Sequence, residues 1–138
     1  MEELLKGRRK FHIIVMPIIM TLVVPLIILD IWTEIYHRIC FPICKIPYVK
    51  RRKYIKIDRH KLKYLNFVQK ISCAYCGYAN GLAAYWVRIG GETERYWCGI
   101  MHKKNKNFIA PDHHKDFTKY GDEKEFREKY KIEECNNK

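Results

Sequence analysis

The sequence predicts a mainly α-helical fold, and three features of the chain lead to that prediction. An apolar segment near the N-terminus is long enough for a membrane helix. Apolar residues after it recur at helical spacing, and two pairs of potential metal ligands follow in the second half. With 138 residues, the chain has room for one modest domain beside the apolar segment.

The apolar segment runs from Phe11 to Leu29, with only His12 and Thr21 as clearly polar side chains. As a helix it would rise about 28 Å, close to the roughly 30 Å hydrocarbon core of a bilayer. Basic residues precede it, as in a signal peptide, but the bulky, acidic residues after Asp30 do not form a cleavage site. We therefore expect a retained membrane helix, with a buried core helix as the alternative.

Two prolines, Pro17 and Pro25, lie inside this segment and favour a kink, because each removes a backbone hydrogen bond. A kinked helix that dips into the membrane and returns, and a straight span, both remain open. More basic residues follow the segment than precede it, so we expect the rest of the chain on the cytoplasmic side of an inner membrane.

The helix is expected to continue past the apolar segment, because Ile31, Ile35 and Ile39 repeat at helical spacing. Pro42 and Pro47 should end it and stiffen the connection that follows. The expected organisation is a basic tail (1–10), a membrane anchor with an interfacial helix (11–39), a basic connector (40–70), a metal-binding module (71–110) and a charged tail (111–138).

The connector is strongly basic. Between Lys45 and Lys70 it carries ten lysines and arginines against one acid, Asp58. A basic stretch beside a membrane helix attracts anionic lipid by about 1 kcal/mol per charge near the surface. We expect lipid rather than nucleic acid as its partner, through Lys50, Arg51, Arg52, Lys53 and Lys56.

The two ligand pairs are Cys73-Ala-Tyr-Cys76, followed by Gly77, and Cys98-Gly-Ile-Met-His102. A Cys-x2-Cys-Gly pattern is typical of a metal knuckle, and on a helix Cys98 and His102 would share a face. Three sulfurs and one imidazole suit tetrahedral zinc, with iron or an iron–sulfur cluster as the alternative. We therefore expect a zinc-knuckle or ribbon-like site, for which His60, His113 and His114 are substitute fourth ligands.

Coarse secondary structure follows from local signals around this module. Tyr54 to Ile57 alternates like a short strand, and the residues from Cys73 to Gly77 should form the knuckle turn. Asn80 is expected to cap a helix from Gly81 to Ile89, which Gly90-Gly91 should interrupt.

Other clusters have weaker patterns. His37, Cys40 and Cys44 are spaced for a site at the membrane interface, but small apolar residues facing the membrane are the simpler interpretation, and palmitoylation of the cysteines is another. The run from Asp112 to Asp116 contains His113 and His114 and follows Pro111. A second metal site and an acid–base pair are conceivable there, and we expect a solvated turn.

Asp58, Arg59 and His60 are the best candidates for catalytic residues, since arginine and histidine together can hold a phosphate group. A role of Asp58 as a helix cap is the simpler account. The chain has no phosphate-cradling glycine loop and no nucleophilic serine elbow. The sequence leaves enzymatic activity open and favours its absence.

Three resemblances accompany these patterns. Cys73-Ala-Tyr-Cys-Gly-Tyr78 resembles the first knuckle of a rubredoxin, and the Cys-x3-His spacing resembles the last two ligands of CDGSH-type iron–sulfur proteins. From about Ile13 to Lys104, the chain also resembles a family of small bacterial membrane-anchored proteins that brings no known activity. The segments that carry this resemblance are Ile35-Tyr-His-Arg-Ile-Cys-Phe-Pro42, Ile57-Asp-Arg-His-Lys-Leu62, Cys73-Ala-Tyr-Cys-Gly-Tyr-Ala-Asn-Gly81 and Tyr96-Trp-Cys98. This last resemblance implies a bacterial source.

Together these observations predict a membrane-anchored protein with a structural zinc site, acting as an interaction or accessory module at the cytoplasmic membrane surface. An iron centre for electron transfer or redox sensing is one alternative function. A membrane-bound enzyme acting on a phospholipid-type substrate is another. A protein partner in a larger membrane complex is compatible with the interaction or accessory role.

Overall fold

The computed structural model describes residues 9–130 of the chain, with side chains from residue 14 onward. Within this range the helices are α1 (Arg9–Thr21), α2 (Val23–Ile43), α3 (Phe67–Trp97) and α4 (Glu123–Tyr130). Short 3₁₀ helices lie at Arg51–Lys53, Arg59–Lys61 and Asp112–Asp116. The described residues contain no strand, so the predicted mainly α-helical fold is confirmed and the predicted strand from Tyr54 to Ile57 is wrong. Cys135 and the first eight residues of the basic tail lie outside the described range.

The apolar segment is helical, as expected. Ile14–Ile43 contains an 18-residue window with a mean hydropathy of 2.6 and is long and apolar enough to cross a membrane. Only 6% of its most apolar window is buried within the structure, whereas a core helix of a soluble protein would be mostly covered by protein. The helix is interrupted at Leu22, where α1 gives way to α2. Pro25 explains the interruption, because its ring conflicts with the carbonyl group of Thr21 four residues earlier.

The chain divides into two compact units, Met1–Ile89 and Gly90–Lys138, and the division falls within α3. The core of the first unit consists of Phe41, Val49, Leu82, Tyr85 and Ile89. These residues come from the end of α2, from the basic connector and from α3. The connector is therefore packed against helices on its inner side, although most of its charged side chains are exposed.

Helix α3 corrects three expectations at once. Cys73 to Gly77 form continuous helix instead of a knuckle turn, Asn80 lies inside the helix, and Gly90-Gly91 do not interrupt it. The helix begins instead after Asn66, whose side chain accepts a hydrogen bond from the Gln69 backbone N–H group at 2.9 Å. The Gln69 side chain in turn accepts a hydrogen bond from the Asn66 N–H group at 3.0 Å, so the pair forms a capping box.

Asp58 does not cap a helix as expected, since no side-chain bond to the backbone is present at the Arg59–Lys61 3₁₀ helix that follows it. Its carboxylate lies 3.2 Å from Lys56 Nζ instead. The segment from Tyr54 to Ile57 has no regular secondary structure and packs on Gly77 and Gly81 of α3. A Cβ atom on Gly77 would lie 2.8 Å from the Lys56 carbonyl oxygen, so this close approach requires glycine.

In the second unit, α3 ends at Trp97 and Gly99 takes a left-handed conformation with φ of 58°. The Gly99 N–H group donates to the Glu94 carbonyl oxygen at 2.9 Å, which closes the helix end. The backbone around Ile100 then pairs with that of Thr118. The Met101 N–H group donates to the Thr118 carbonyl oxygen at 2.8 Å, and the Thr118 N–H group donates to the Gly99 carbonyl oxygen at 2.9 Å. This bridge brings the Asp112–Asp116 helix back to the end of α3.

Candidate metal centre

One group of metal-ligating side chains stands out in the described part of the chain: Glu94, His113 and His114. Their ligand atoms all lie within 4.8 Å of one another. His113 Nε2 is 2.8 Å from Glu94 Oε2, and His114 Nε2 is 3.1 Å from both carboxylate oxygens. Two imidazole nitrogens therefore converge on one carboxylate.

Each ligand is held by an ordered element of the second unit. Glu94 lies in the last turn of α3, and the two histidines lie in the Asp112–Asp116 3₁₀ helix. His113 sits over Gly91, where a Cβ atom would come within 3.0 Å of the imidazole Cγ and Nδ1 atoms. A glycine at position 91 thus makes room for the histidine ring.

His114 is the most enclosed of the three, with 3% of its surface exposed. Its ring stacks on Phe117 with centroids 4.9 Å apart, and the ring of His102 lies 5.4 Å away. These contacts fix the ring plane, and they leave Nε2 directed at Glu94. His114 Nδ1 is buried and has no hydrogen-bond partner among the described residues.

The surrounding charges favour an ionised Glu94. Burial raises its pKa, but the hydrogen bonds and positive charge of His113 and His114 outweigh burial and hold the pKa of Glu94 below its usual value. Arg95 does not compete for this carboxylate, because it lies 3.2 Å from Asp116 and 3.4 Å from Glu92. The cluster therefore combines one ionised carboxylate with two imidazole groups.

This donor set fits a divalent transition metal. Zinc accepts histidine nitrogen and carboxylate oxygen at about 2.0–2.2 Å, which puts tetrahedral ligand atoms about 3.3 Å apart. The two Glu94–His separations of 2.8 and 3.1 Å are a few tenths of an ångström shorter than this spacing, and all three ligand atoms lie within 4.8 Å of one another. Two histidines with one carboxylate also form the set that non-haem ferrous iron uses. Without an ion, the same atoms form a hydrogen-bonded triad in which both Nε2–H groups donate to Glu94.

The four ligands predicted from the sequence are not brought together. Cys73 and Cys76 belong to α3 within the first unit, Cys98 follows the end of α3 in the second unit, and the cysteines are not near one another. Gly99 also ends the helix between Cys98 and His102, so this pair does not share a helical face. The zinc-knuckle arrangement expected from Cys-x2-Cys-Gly is therefore absent from the described structure, because those residues continue a helix instead of turning.

The remaining predicted clusters lie apart from this centre. Asp58, Arg59 and His60 are exposed around the second 3₁₀ helix. Of the residues expected to bind anionic lipid, Lys50, Arg52, Lys53 and Lys56 are exposed, whereas Arg51 is ion-paired with Asp30 at 2.6 Å.

Of the interfacial cluster at the end of α2, the structure places His37 inside the protein. His37 is fully buried and accepts a hydrogen bond from the Val49 N–H group at 3.1 Å. Cys40 and Cys44 are partly buried free thiols. The histidine is therefore part of the protein core of the first unit.

The Asp112–Asp116 run was expected to be a solvated turn, and the structure buries His114 within it instead. Glu94 was not identified from the sequence at all. It lies nineteen residues before His113, and no local spacing connects the two. In the sequence, only the two adjacent histidines indicated a possible metal site at this position. The carboxylate that faces them is known from the structure, in which the backbone of Thr118 pairs with Gly99 and Met101 beside the end of α3.

Comparisons of the chain with protein-family models, with curated proteins and with solved structures found no match.

Proposed function

We propose that this protein is a membrane-anchored metal-binding protein, with one divalent ion held by Glu94, His113 and His114. The observation that carries the proposal is the convergence of the three ligand atoms within 4.8 Å. The apolar helix Ile14–Ile43 provides the anchor, and the basic connector provides attraction to anionic lipid. The protein then acts as an interaction or accessory module at the cytoplasmic membrane surface.

Zinc is the proposed ion, and ferrous iron is the alternative because it uses the same donor set. Three protein ligands leave one coordination position of a tetrahedral ion for water or for a group from a partner. A structural site is usually closed by four protein ligands. His102, whose ring centroid is 5.4 Å from that of His114, is a candidate for a fourth ligand.

Metal content of the full-length protein, purified in detergent, tests the proposal. One equivalent of zinc is expected in the native protein and in a Cys73→Ser/Cys76→Ser variant. Glu94→Gln should lose the metal, since it keeps the shape of the side chain and removes the charge. Glu92→Gln is the matched control: it makes the same change two residues earlier, at a glutamate that pairs with Arg95, and it should keep the metal.

Two results would overturn the metal site at this position. One is native protein without bound metal after purification and titration with zinc or ferrous iron. The other is metal that survives Glu94→Gln and is lost in the double cysteine variant, which would restore the thiolate site. Helix content by circular dichroism shows that each variant is folded. Visible absorbance of the loaded protein distinguishes an iron–thiolate centre from colourless zinc.

A further inference from the structure

An exposed group of apolar side chains surrounds the start of α3. The exposed fractions are 80% for Tyr64, 77% for Phe67, 57% for Val68 and 44% for Ile71. Phe67, Val68 and Ile71 follow one another at helical spacing, so they form one face. The capping box of Asn66 and Gln69 holds this first turn in place. We call these four side chains the α3 apolar patch.

The charge around the α3 apolar patch has one sign. Lys61, Lys63 and Lys70 flank it, and no acidic residue occurs in the sequence from Arg59 to Gly91. Aromatic and aliphatic side chains bordered by lysines are the composition of surfaces that lie in the interface of an anionic membrane. A protein partner would need an apolar surface with acidic surroundings to match it.

The patch is also continuous with the proposed anchor. The Ser72 hydroxyl group lies 3.7 Å from the sulfur atom of Met16, and Met16 belongs to the apolar helix Ile14–Ile43. Ser72 immediately follows Ile71 on α3. A bilayer that surrounds the apolar helix at Met16 is therefore next to the α3 apolar patch.

We propose that the α3 apolar patch is a second membrane contact, inserted among the headgroups and upper acyl chains of an anionic bilayer. This inference rests on the proposed anchoring of the apolar helix and is independent of the metal site. Lys61, Lys63 and Lys70 would contact lipid phosphates while Phe67, Val68 and Ile71 contact acyl chains. The first unit would then be held against the membrane and would not extend away from it on a tether.

Photocrosslinking in vesicles of phosphatidylcholine and phosphatidylglycerol tests this contact. The full-length protein carries p-benzoylphenylalanine at position 67, and lipid adducts are measured by intact mass. Position 97 is the matched control, since Trp97 is an aromatic residue with 72% exposure on the same helix. Position 18 is the anchor control, because Ile18 lies in the apolar helix and is 62% exposed. Lipid adducts at position 67 should exceed those at position 97 several-fold.

The controls separate the possible failures. Lipid adducts at position 18 with none at position 67 would leave the anchor intact and overturn the second contact. Adducts equal at positions 67 and 97 would also overturn it, and so would crosslinks from position 67 to another protein chain. No adducts at position 18 would mean that the anchor itself is wrong. Replacing Lys61, Lys63 and Lys70 by glutamine should lower the yield at position 67 and leave position 18 unchanged.

Discussion

Arg51 Nη2 lies 2.6 Å from Asp30 Oδ2, which joins the basic connector to the first acidic residue after the apolar run. Asp30 has 6% of its surface exposed, and the Tyr78 hydroxyl group donates a second hydrogen bond to Oδ2 at 2.8 Å. A buried carboxylate is costly unless it is paired. The pair thus explains how an acidic residue is accommodated within α2 and why the connector returns along the helices.

Removing Arg51 should destabilise the first unit. Arg51→Met leaves Asp30 buried without its cation, and we expect a loss of about 1–3 kcal/mol, below the full value for a buried pair because the Arg51 side chain is 34% exposed. Arg52→Met is the matched control at an exposed neighbour and should change little. Thermal unfolding in detergent micelles, followed by circular dichroism, measures the difference. Equal stability of the two variants would show that the pair contributes nothing.

The Tyr85 hydroxyl group lies in a buried hydrogen-bonded chain. It donates to Glu34 Oε1 at 2.7 Å and lies 3.0 Å from His37 Nδ1. Because the Val49 N–H group donates to Nε2 of His37, the network assigns the imidazole proton to Nδ1. Nδ1–H then donates to the Tyr85 oxygen.

Tyr85→Phe should therefore cost about 1–2 kcal/mol, since it removes the partner of the buried His37 Nδ1 atom and of the partly buried Glu34 Oε1 atom. Tyr64→Phe makes the same change at a residue that is 80% exposed and should be neutral. Chemical unfolding of both variants under one set of conditions checks the prediction. If the two free energies of unfolding agree, the hydrogen-bonded chain has no net effect on stability.

Two glycines of α3 should respond in opposite directions to alanine. A Cβ atom on Gly81 would lie 2.7 Å from the Tyr54 carbonyl oxygen and 2.8 Å from Ile55 Cα, so the connector backbone would have to move. We expect Gly81→Ala to destabilise the protein by about 1–3 kcal/mol. A Cβ atom on Gly90 would meet nothing within 4 Å.

Gly90→Ala should consequently raise stability by up to about 1 kcal/mol, because alanine favours helix over glycine. The thermal midpoints of the two variants give the comparison. A stabilising effect at position 81 would contradict the close packing of Tyr54 and Ile55 on α3.

The alkaline limit of stability should depend on Tyr78. Burial, followed by the hydrogen bond to Asp30, raises its pKa from the ordinary value of 10.0 to about 12. The protonated form is thus favoured by folding. The resulting stability is fully present below pH 10 and is lost as the pH rises through about 12.

Tyrosinate absorbance during an alkaline titration measures this effect. Burial, followed by the hydrogen bond to Glu34, also raises the pKa of Tyr85, so a late phase that includes Tyr78 and Tyr85 is expected. Tyr78→Phe should reduce the amplitude of that phase. A single phase near pH 10 for all tyrosines of the folded protein would disprove the prediction.

Local patterns predicted the helical nature of the chain but not the extent of α3. Gly77, Gly81, Gly90 and Gly91 each lower helix propensity, and the Cys-x2-Cys-Gly pattern favoured a turn. The helix persists because Gly77 and Gly81 pack on the connector backbone and Gly91 lies beneath His113. Contacts with distant segments therefore override the local preference of these residues.

The sequence by itself determined the apolar helix, the two prolines that favour a kink in it and the concentration of positive charge after it. These properties depend on hydrophobicity, proline geometry and charge within short stretches, so they can be read without knowing the fold. Only the tertiary structure decided that Arg51 pairs with Asp30 and that His113 and His114 face Glu94. Those partners are about twenty residues apart, and their meeting depends on where the chain turns back and pairs with itself.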